Sequence, residues 1–267
     1  VAILIWGCVF CAIAALCIFL SSNYDREKRR YLILMESFAS LLLLMDAMAH
    51  IFSGYPGVPG SVMVCISSFL VFLLSDVFLL CFHIYVCVYL FSKKERRTLK
   101  RVKAGYVIAA AGAAFVVISQ FTHWYYYIDG DNCYHRAPLY IMSILLPAAG
   151  LLIDLTLLLQ YKKRVSRKLL FSMLSCVVLP AVAAAVQAFW YGMSLIEFSV
   201  GISMIIMFIV TMTELNQEMY QLISREGKIK ERLEIATILN KCIAELISGE
   251  DEDAAILFHG VLLPKDT

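Results

Sequence analysis

Apolar residues dominate seven stretches of the chain, at roughly Ala2–Leu20, Leu32–Phe52, Val62–Phe91, Ala104–Phe121, Leu139–Gln160, Leu169–Phe189 and Leu195–Thr213. None alternates polar and apolar positions with the period of two that a barrel strand requires. A run of ~20 apolar residues, rising ~1.5 Å per residue as a helix, crosses a hydrocarbon layer ~30 Å thick. Helices satisfy their own backbone groups in lipid, which has no water to do it for them. The pattern therefore predicts seven transmembrane helices, and an all-α polytopic membrane protein. The third stretch covers about 30 positions and is long enough to tilt or protrude.

Past Thr213 the pattern changes. From Glu214 to Ile247 the sequence is polar, with apolar residues at Leu215, Met219, Leu222, Ile229, Leu233, Ala236, Ile243 and Ile247. The steps alternate between four and three, with Glu226 and Asn240 in two seam positions. That is a heptad seam, and polar seam residues weaken a coil while fixing its register. It predicts a cytoplasmic coiled-coil helix that continues from the seventh span and pairs two copies in parallel, a homodimer. A single amphipathic helix packed on another domain is the alternative. Leu215, Met219, Leu222, Ile229 and Leu233 are the candidate signal-relay positions. SGEDED at 248–253 then breaks the helix, and 254–267 is too short to fold alone. Three regions follow: 1–213 in the membrane, 214–248 as the signalling helix, and 249–267 as the start of a further domain.

The connections differ in kind. Ser53–Gly60 is a short Gly/Pro turn, and Trp190–Ser194 is shorter still. Between them lies HWYYYIDGDNCYHRAP at His123–Pro138, with Asp129-Gly130 set between two aromatic-rich runs. Asp-Gly in that position signals a β-hairpin. An aromatic belt at the membrane surface is the other reading for Trp124 and Tyr125.

Composition agrees with the spans. Of the 267 residues 61% are apolar or aromatic and 16% are charged, against about 25% charged in soluble domains, and the mean hydropathy is +0.78. A soluble enzyme, a disordered chain and a nucleic-acid-binding domain are excluded. The net charge of +2 is uninformative, but its distribution is not. The connections after the first, third and fifth spans hold 16 of the 23 Lys and Arg residues, and the three opposite connections hold Arg136 alone. Lys and Arg concentrate on the cytoplasmic side. The expected topology is N-terminus out and C-terminus in, in a bacterial plasma (inner) membrane.

The nine cysteines are an odd set, and Cys8-x-x-Cys11 lies in an apolar helix, where packing explains it. The chain opens at Val1 on an apolar run too long for a signal h-region, so a fragment or trimmed chain is expected. His123, Cys133 and His135 share a loop, but their spacing fits no standard zinc site. No nucleotide, metalloprotease or nucleophile-elbow motif occurs, and the seventh span has no Lys for a retinal Schiff base. No catalytic residue, metal or cofactor is expected, and the chain is not expected to be an enzyme.

Five carboxylates lie in or beside the spans: Glu36, Asp46, Asp76, Asp154 and Glu197. Ionisable groups in hydrocarbon are costly and need sheltered partners. Asp46 and His50 are four apart on one helix face, and Asp76 and His83 are seven apart on another. Pro147 and Pro180 fall inside the fifth and sixth spans, and Gln187 and Tyr191 share a face at the end of the sixth. A small-ligand site is expected from Asp46, His50, Asp76, Tyr134, Arg136, Gln187 and Tyr191. Interhelical polar contacts and packing are the competing explanation.

The runs YIDGDNCYHRAPLYIMSILLP at 127–147 and LPAVAAAVQAFWYGMSL at 179–195 resemble the N-terminal seven-helix sensor region of bacterial GGDEF-type diguanylate cyclases and of some histidine kinases. ERLEIATILNKCIAELISGEDEDAAI, at 231–256, is similar to the entry helix of a GAF-like domain. The resemblance implies a membrane-embedded sensory module that relays an extracellular or membrane stimulus to a cytoplasmic output. No G-G-D-E-F and no histidine-kinase S-H-E motif occurs in the chain, so that output is implied and not present. A small-solute transporter or channel is the alternative function, with only the faint echo of SILLPAAG in SCVVLPAVA to suggest repeats. A ligand-free membrane scaffold is a third.

Overall fold

The computed structural model describes residues 1–21, 25–189 and 194–248. Its elements are α1 (Ala2–Leu20), α2 (Arg26–Phe52), α3 (Val58–Leu90), α4 (Lys93–Thr98), α5 (Lys100–Thr122), β1 (Tyr126–Ile128), β2 (Tyr134–Arg136), α6 (Met142–Gln160), α7 (Arg167–Phe189) and α8 (Leu195–Ser248). All but α4 and the two strands are long and apolar enough to cross a membrane, seven helices in all among the described residues. The chain is an all-α, multi-pass membrane protein. It divides into two units, Val1–Met212 and Thr213–Thr267.

Several helices start before the apolar run does. α2 begins at Arg26 because the Asp25 carboxylate accepts from the amides of Glu27 and Lys28, at 3.0 and 3.1 Å. Those amides have no partner within the helix, and an acceptor at the cap supplies one. α3 begins at Val58, after Gly57 takes the left-handed φ of 85° that glycine tolerates, with a proline in the first turn. α4 is held by a capping box: Ser92 and Glu95 each bond the other's backbone.

Within Val1–Met212, α1 packs on α2, α2 on α3, α3 on α5 and α6, α5 on α6, and α6 on α7. α1 buries Leu4, Cys11, Ala14 and Ile18 on one side, while Trp6, Phe10, Ile13, Leu16 and Phe19 are exposed on the other. Such a continuous apolar face belongs against lipid, not water. The beginning of α8 lies antiparallel to α7, where Ser203 Oγ donates to the Ser175 carbonyl at 3.1 Å. Gly201 of α8 faces Leu43 of α2.

The contact between α3 and α5 is set by two glycines. A Cβ on Gly105 would collide with the His83 ring, and one on Gly112 would stand 2.9 Å from both Asp76 carboxyl oxygens. The seven-residue step from Asp76 to His83 on α3 is matched by the reverse step from Gly112 to Gly105 on α5. Two polar side chains thus enter an apolar helix contact through two notches.

The basic connections meet at one end of the bundle. Arg96 holds Glu27 through both carboxyl oxygens, at 2.9 and 3.1 Å. Arg164 donates to the Leu90 carbonyl at 2.8 Å, and Arg101 to Gln160 at 2.7 Å. The opposite end carries the hairpin that Asp129-Gly130 forecasts. β1 and β2 are antiparallel, with Tyr126 opposite Arg136, Tyr127 opposite His135 and Ile128 opposite Tyr134. Its connection spans residues 129–133, longer than a two-residue turn. Asn132, at φ 60°, closes it and donates through its side-chain amide to the carbonyls of Tyr55 and Gly57 at 2.9 and 3.3 Å. The hairpin is thereby fastened to the α2–α3 turn. Tyr125 is buried beneath it rather than placed in an interfacial belt, while Trp124 is exposed.

In the second unit, the described part of α8 is largely exposed. Leu222, Ile229 and Leu233 are 60%, 65% and 68% exposed.

Two outcomes test these constraints. Gly105→Ala should destabilise the detergent-solubilised protein by about 1–3 kcal/mol through overpacking against His83, whereas Gly130→Ala, with nothing within 4 Å, should stay within about 0.5 kcal/mol; thermal unfolding measures both. The Cys133 amide, the His135 ring and the Asp131 amide hold the Asp129 carboxyl below the usual carboxylate range. Stabilisation from that lowered pKa is present above the ordinary carboxylate value and is lost as pH falls through the lowered one. Hydrogen exchange at the Cys133 amide should therefore be protected at neutral pH and deprotected in acid, and Asp129→Asn should remove most of that dependence.

Candidate functional site

The helix packing leaves a cavity of about 890 Å³ between α2, α3, α5, α6, α7, the first turns of α8 and the hairpin. Six of the seven ligand-site residues expected from sequence line it: Asp46, His50, Asp76, Tyr134, Arg136 and Gln187. Tyr191, the seventh, lies outside the described residues. So do Trp190 and the 249–267 segment expected to begin a further domain.

Each polar side chain is delivered by a particular element. Asp46 and His50 are on successive turns near the end of α2, with 3.8 Å between Asp46 Oδ1 and His50 Nε2. His50 Nε2 also lies 2.7 Å from Ser194 Oγ, at the start of α8. Asp76 enters from the middle of α3, through the notch at Gly112. Arg136 comes from β2. Its guanidinium donates to the Gln187 backbone carbonyl at 3.1 Å and stands 4.4 Å from the centre of the Tyr140 ring. Gln187 is more committed than a free wall residue: its side-chain oxygen accepts from the Ile196 amide at 2.9 Å, capping α8.

Sequence reasoning missed several residues of the site. Glu197, in the first turn of α8, also lines the cavity. It and Asp46 are near enough for the charge of one to act on the other. Glu197 is 8% exposed and Asp46 7%, and Glu197 Oε2 and Asp46 Oδ2 have no hydrogen-bond partner among the described residues. Tyr125, Tyr140 and Phe72 add aromatic faces to the wall, and Phe72 stacks on Tyr126 of the hairpin at 5.4 Å. Pro147 and Pro180 both face the cavity. A proline cannot donate to the residue four positions earlier, so each leaves one backbone carbonyl of its helix without that bond.

Below Asp76, toward the basic end, is a second polar centre. His83 Nδ1 and Asp154 Oδ1 are 2.6 Å apart, joining α3 to α6. The other ring nitrogen lies 3.0 Å from the Val102 carbonyl of α5. His83 thus ties three helices together, and its partner is Asp154, not Asp76. A void of about 20 Å³ between Asp76, His83, Gly105 and Asp154 has room for one water molecule.

Glu36, from α2, is buried elsewhere in the bundle, and neither of its carboxyl oxygens has a nitrogen or oxygen partner among the described residues. Among the described residues no three His, Cys, Asp or Glu side chains converge as a metal site. His135 is directed instead to Asp129, at 2.7 Å.

No protein-family model, curated protein or solved structure matches the chain.

Breaking a buried, hydrogen-bonded pair from one side is expensive because the other member is left without its partner. Asp154→Leu should cost about 3–5 kcal/mol, whereas Asp154→Asn, which keeps an acceptor for His83, should lose less than half as much; chemical or thermal unfolding in detergent separates the two.

Proposed function

We propose that the chain is a membrane-embedded sensory module that relays a stimulus from its cavity to a cytoplasmic signalling output. One observation carries the reading. The helix that supplies Ile196, Glu197 and Val200 to the cavity wall runs unbroken to Ser248. Anything that shifts the first turns of α8 acts on a helix that continues into an exposed heptad seam. A ligand biases such a device by binding one helix arrangement better than another.

The charge distribution supports the direction of relay. The basic connections gather at the end of the bundle toward which α8 runs, opposite the hairpin, since Ser172 near the start of α7 bonds Met207 of α8 at 3.3 Å. Lys and Arg at that density favour the cytoplasmic side. In this reading the N-terminus is outside, the hairpin caps the outer face, and α8 emerges into the cytoplasm of a bacterial inner membrane. The seam at Leu215, Met219, Leu222, Ile229 and Leu233 then pairs with the same seam of a second copy as a parallel coiled coil. The resemblance of 127–147 and 179–195 to diguanylate-cyclase sensor regions is the basis for assigning the output to that class. Catalysis is assigned to that output and not to the bundle.

A solute pathway is the alternative reading. It would have to continue from the cavity past Asp76, where the space narrows to the 20 Å³ void above the His83–Asp154 pair. A blind cavity fits a receptor better than a conduit.

The test uses the chain joined to its output. Leu222→Asp and Leu233→Asp, introduced singly, should abolish the stimulus-dependent change in output while leaving the thermal midpoint of the bundle within a few degrees. An undiminished response in both variants removes α8 as the transmitter.

A further inference from the structure

We propose that the cavity is a receptor site for an amphiphilic organic amine: a ligand with one ammonium group and an apolar or aromatic body. The proposal rests on the sensory reading and names the class of ligand for that site.

Three carboxyl groups, Asp46, Asp76 and Glu197, face one space in the membrane-spanning part of the bundle. All three are more than nine-tenths buried, and Asp46 and Glu197 each keep an oxygen that no described residue satisfies. A buried acceptor without a donor costs free energy, and a polar group in hydrocarbon costs more than one in water. What the site can take is donors for those oxygens and a counter-charge that holds the carboxyls in their ionised form. An ammonium group supplies both, and its hydrogen bonds to carboxylates are among the stronger ones available to a ligand.

The basic residues at the site are already engaged. Arg136 is directed to the Gln187 carbonyl and the Tyr140 ring. His50 is shared between Asp46 and Ser194, and it reaches Asp46 through Oδ1, not through the unsatisfied Oδ2. Among the described residues, no lysine lines the cavity.

The rest of the wall fits the rest of such a molecule. Phe72, Tyr125 and Tyr134 contribute aromatic rings to the wall, and aliphatic side chains such as Leu79 and Leu151 fill much of the remainder. Aromatic faces attract cations through the ring quadrupole, most strongly where water is excluded. About 890 Å³ lies in the range of drug-sized pockets, with a mainly apolar lining and few convergent polar groups. A small inorganic cation would leave most of this space empty. An anion would meet three carboxyl groups.

Binding is measured on the full chain in nanodiscs with a matched set of probes. 2-Phenylethylamine and longer aryl- and alkylamines are compared with 2-phenylethanol and with 3-phenylpropionate, by calorimetry and ligand-detected NMR. At least one amine should bind saturably, at least tenfold tighter than its alcohol counterpart, with the carboxylate weaker than both. Glu197→Gln and Asp46→Asn should each weaken the amine tenfold or more and leave the alcohol within threefold, which also shows that the cavity is still folded. Glu95→Gln, on the basic surface, should change nothing. The proposal is overturned if no amine in the set binds saturably, if alcohol or carboxylate binds as well as amine, or if neither variant discriminates. Amine binding without a change in output would overturn the sensory reading and leave the site standing. A response to some other stimulus, with no amine bound, would do the reverse.

Discussion

Hydrocarbon does not solvate a carboxyl group, and the internal arrangement of this bundle follows from that constraint. Glu36, Asp46, Asp76, Asp154 and Glu197 all lie within helices long and apolar enough to cross a bilayer. Each must turn inward, because lipid offers neither hydrogen bonds nor counter-charge. Turning five carboxyl groups and His83 inward forces the helices either to approach closely around them or to stand apart. Both solutions are present. Gly105 and Gly112 let α5 close onto His83 and Asp76, whereas α6 and α7 each bring a proline to the cavity wall. The tight solution ends in a satisfied pair, His83 with Asp154. The open one ends in a cavity whose acids lack donors.

That contrast sets a satisfied polar centre beside an unsatisfied one. A buried network in which every member is satisfied rigidifies its surroundings, while a partly satisfied one marks a place where something is missing. His83 meets Asp154 and the Val102 carbonyl and joins three helices. It reads as a rivet. Asp46 and Glu197 face an apolar-walled space large enough for a ligand and keep unsatisfied oxygens there. The same residue types, in one bundle, serve different ends because their neighbours differ.

The spans were legible in the sequence because hydropathy has no competitor in lipid: Ala2–Leu20 emerges with the boundaries its apolar run suggests. Errors cluster where hydropathy fades before the helix does. Arg26–Arg30 and Lys100–Lys103 are helical although charged, since Arg and Lys are good helix formers and Asp25 caps the first of these turns. Six cavity residues were legible because rare ionisable and polar groups near one end of several spans tend to share an interior. What spacing along one helix does not encode is the partner on another. The i, i+7 relation groups His83 with Asp76, but the approach of α3, α5 and α6, set by glycines rather than by charge, delivers His83 to Asp154. Glu197 stands at the start of its helix in the sequence, and nothing there says that Asp46 faces it.

The placement of Glu197 has a mechanical consequence. Asp46 belongs to α2, which packs on α1 and α3, whereas Glu197 belongs to α8, which is shared with the exposed seam. A ligand that bridges the two gains most when α2 and α8 stand close, so its binding energy differs between helix arrangements. Only such a difference can move an equilibrium; equal affinity for two states moves nothing, however tight the binding. Couplings between sites of this kind are typically about 1–3 kcal/mol, and one charge-assisted hydrogen bond made in one state and lost in the other is of that size. The Gln187 cap on the Ile196 amide and the contact of His50 with Ser194 hold the same turn of α8 to α7 and α2. In the proposed reading, the first turn of α8 is where cavity occupancy and helix position are set together.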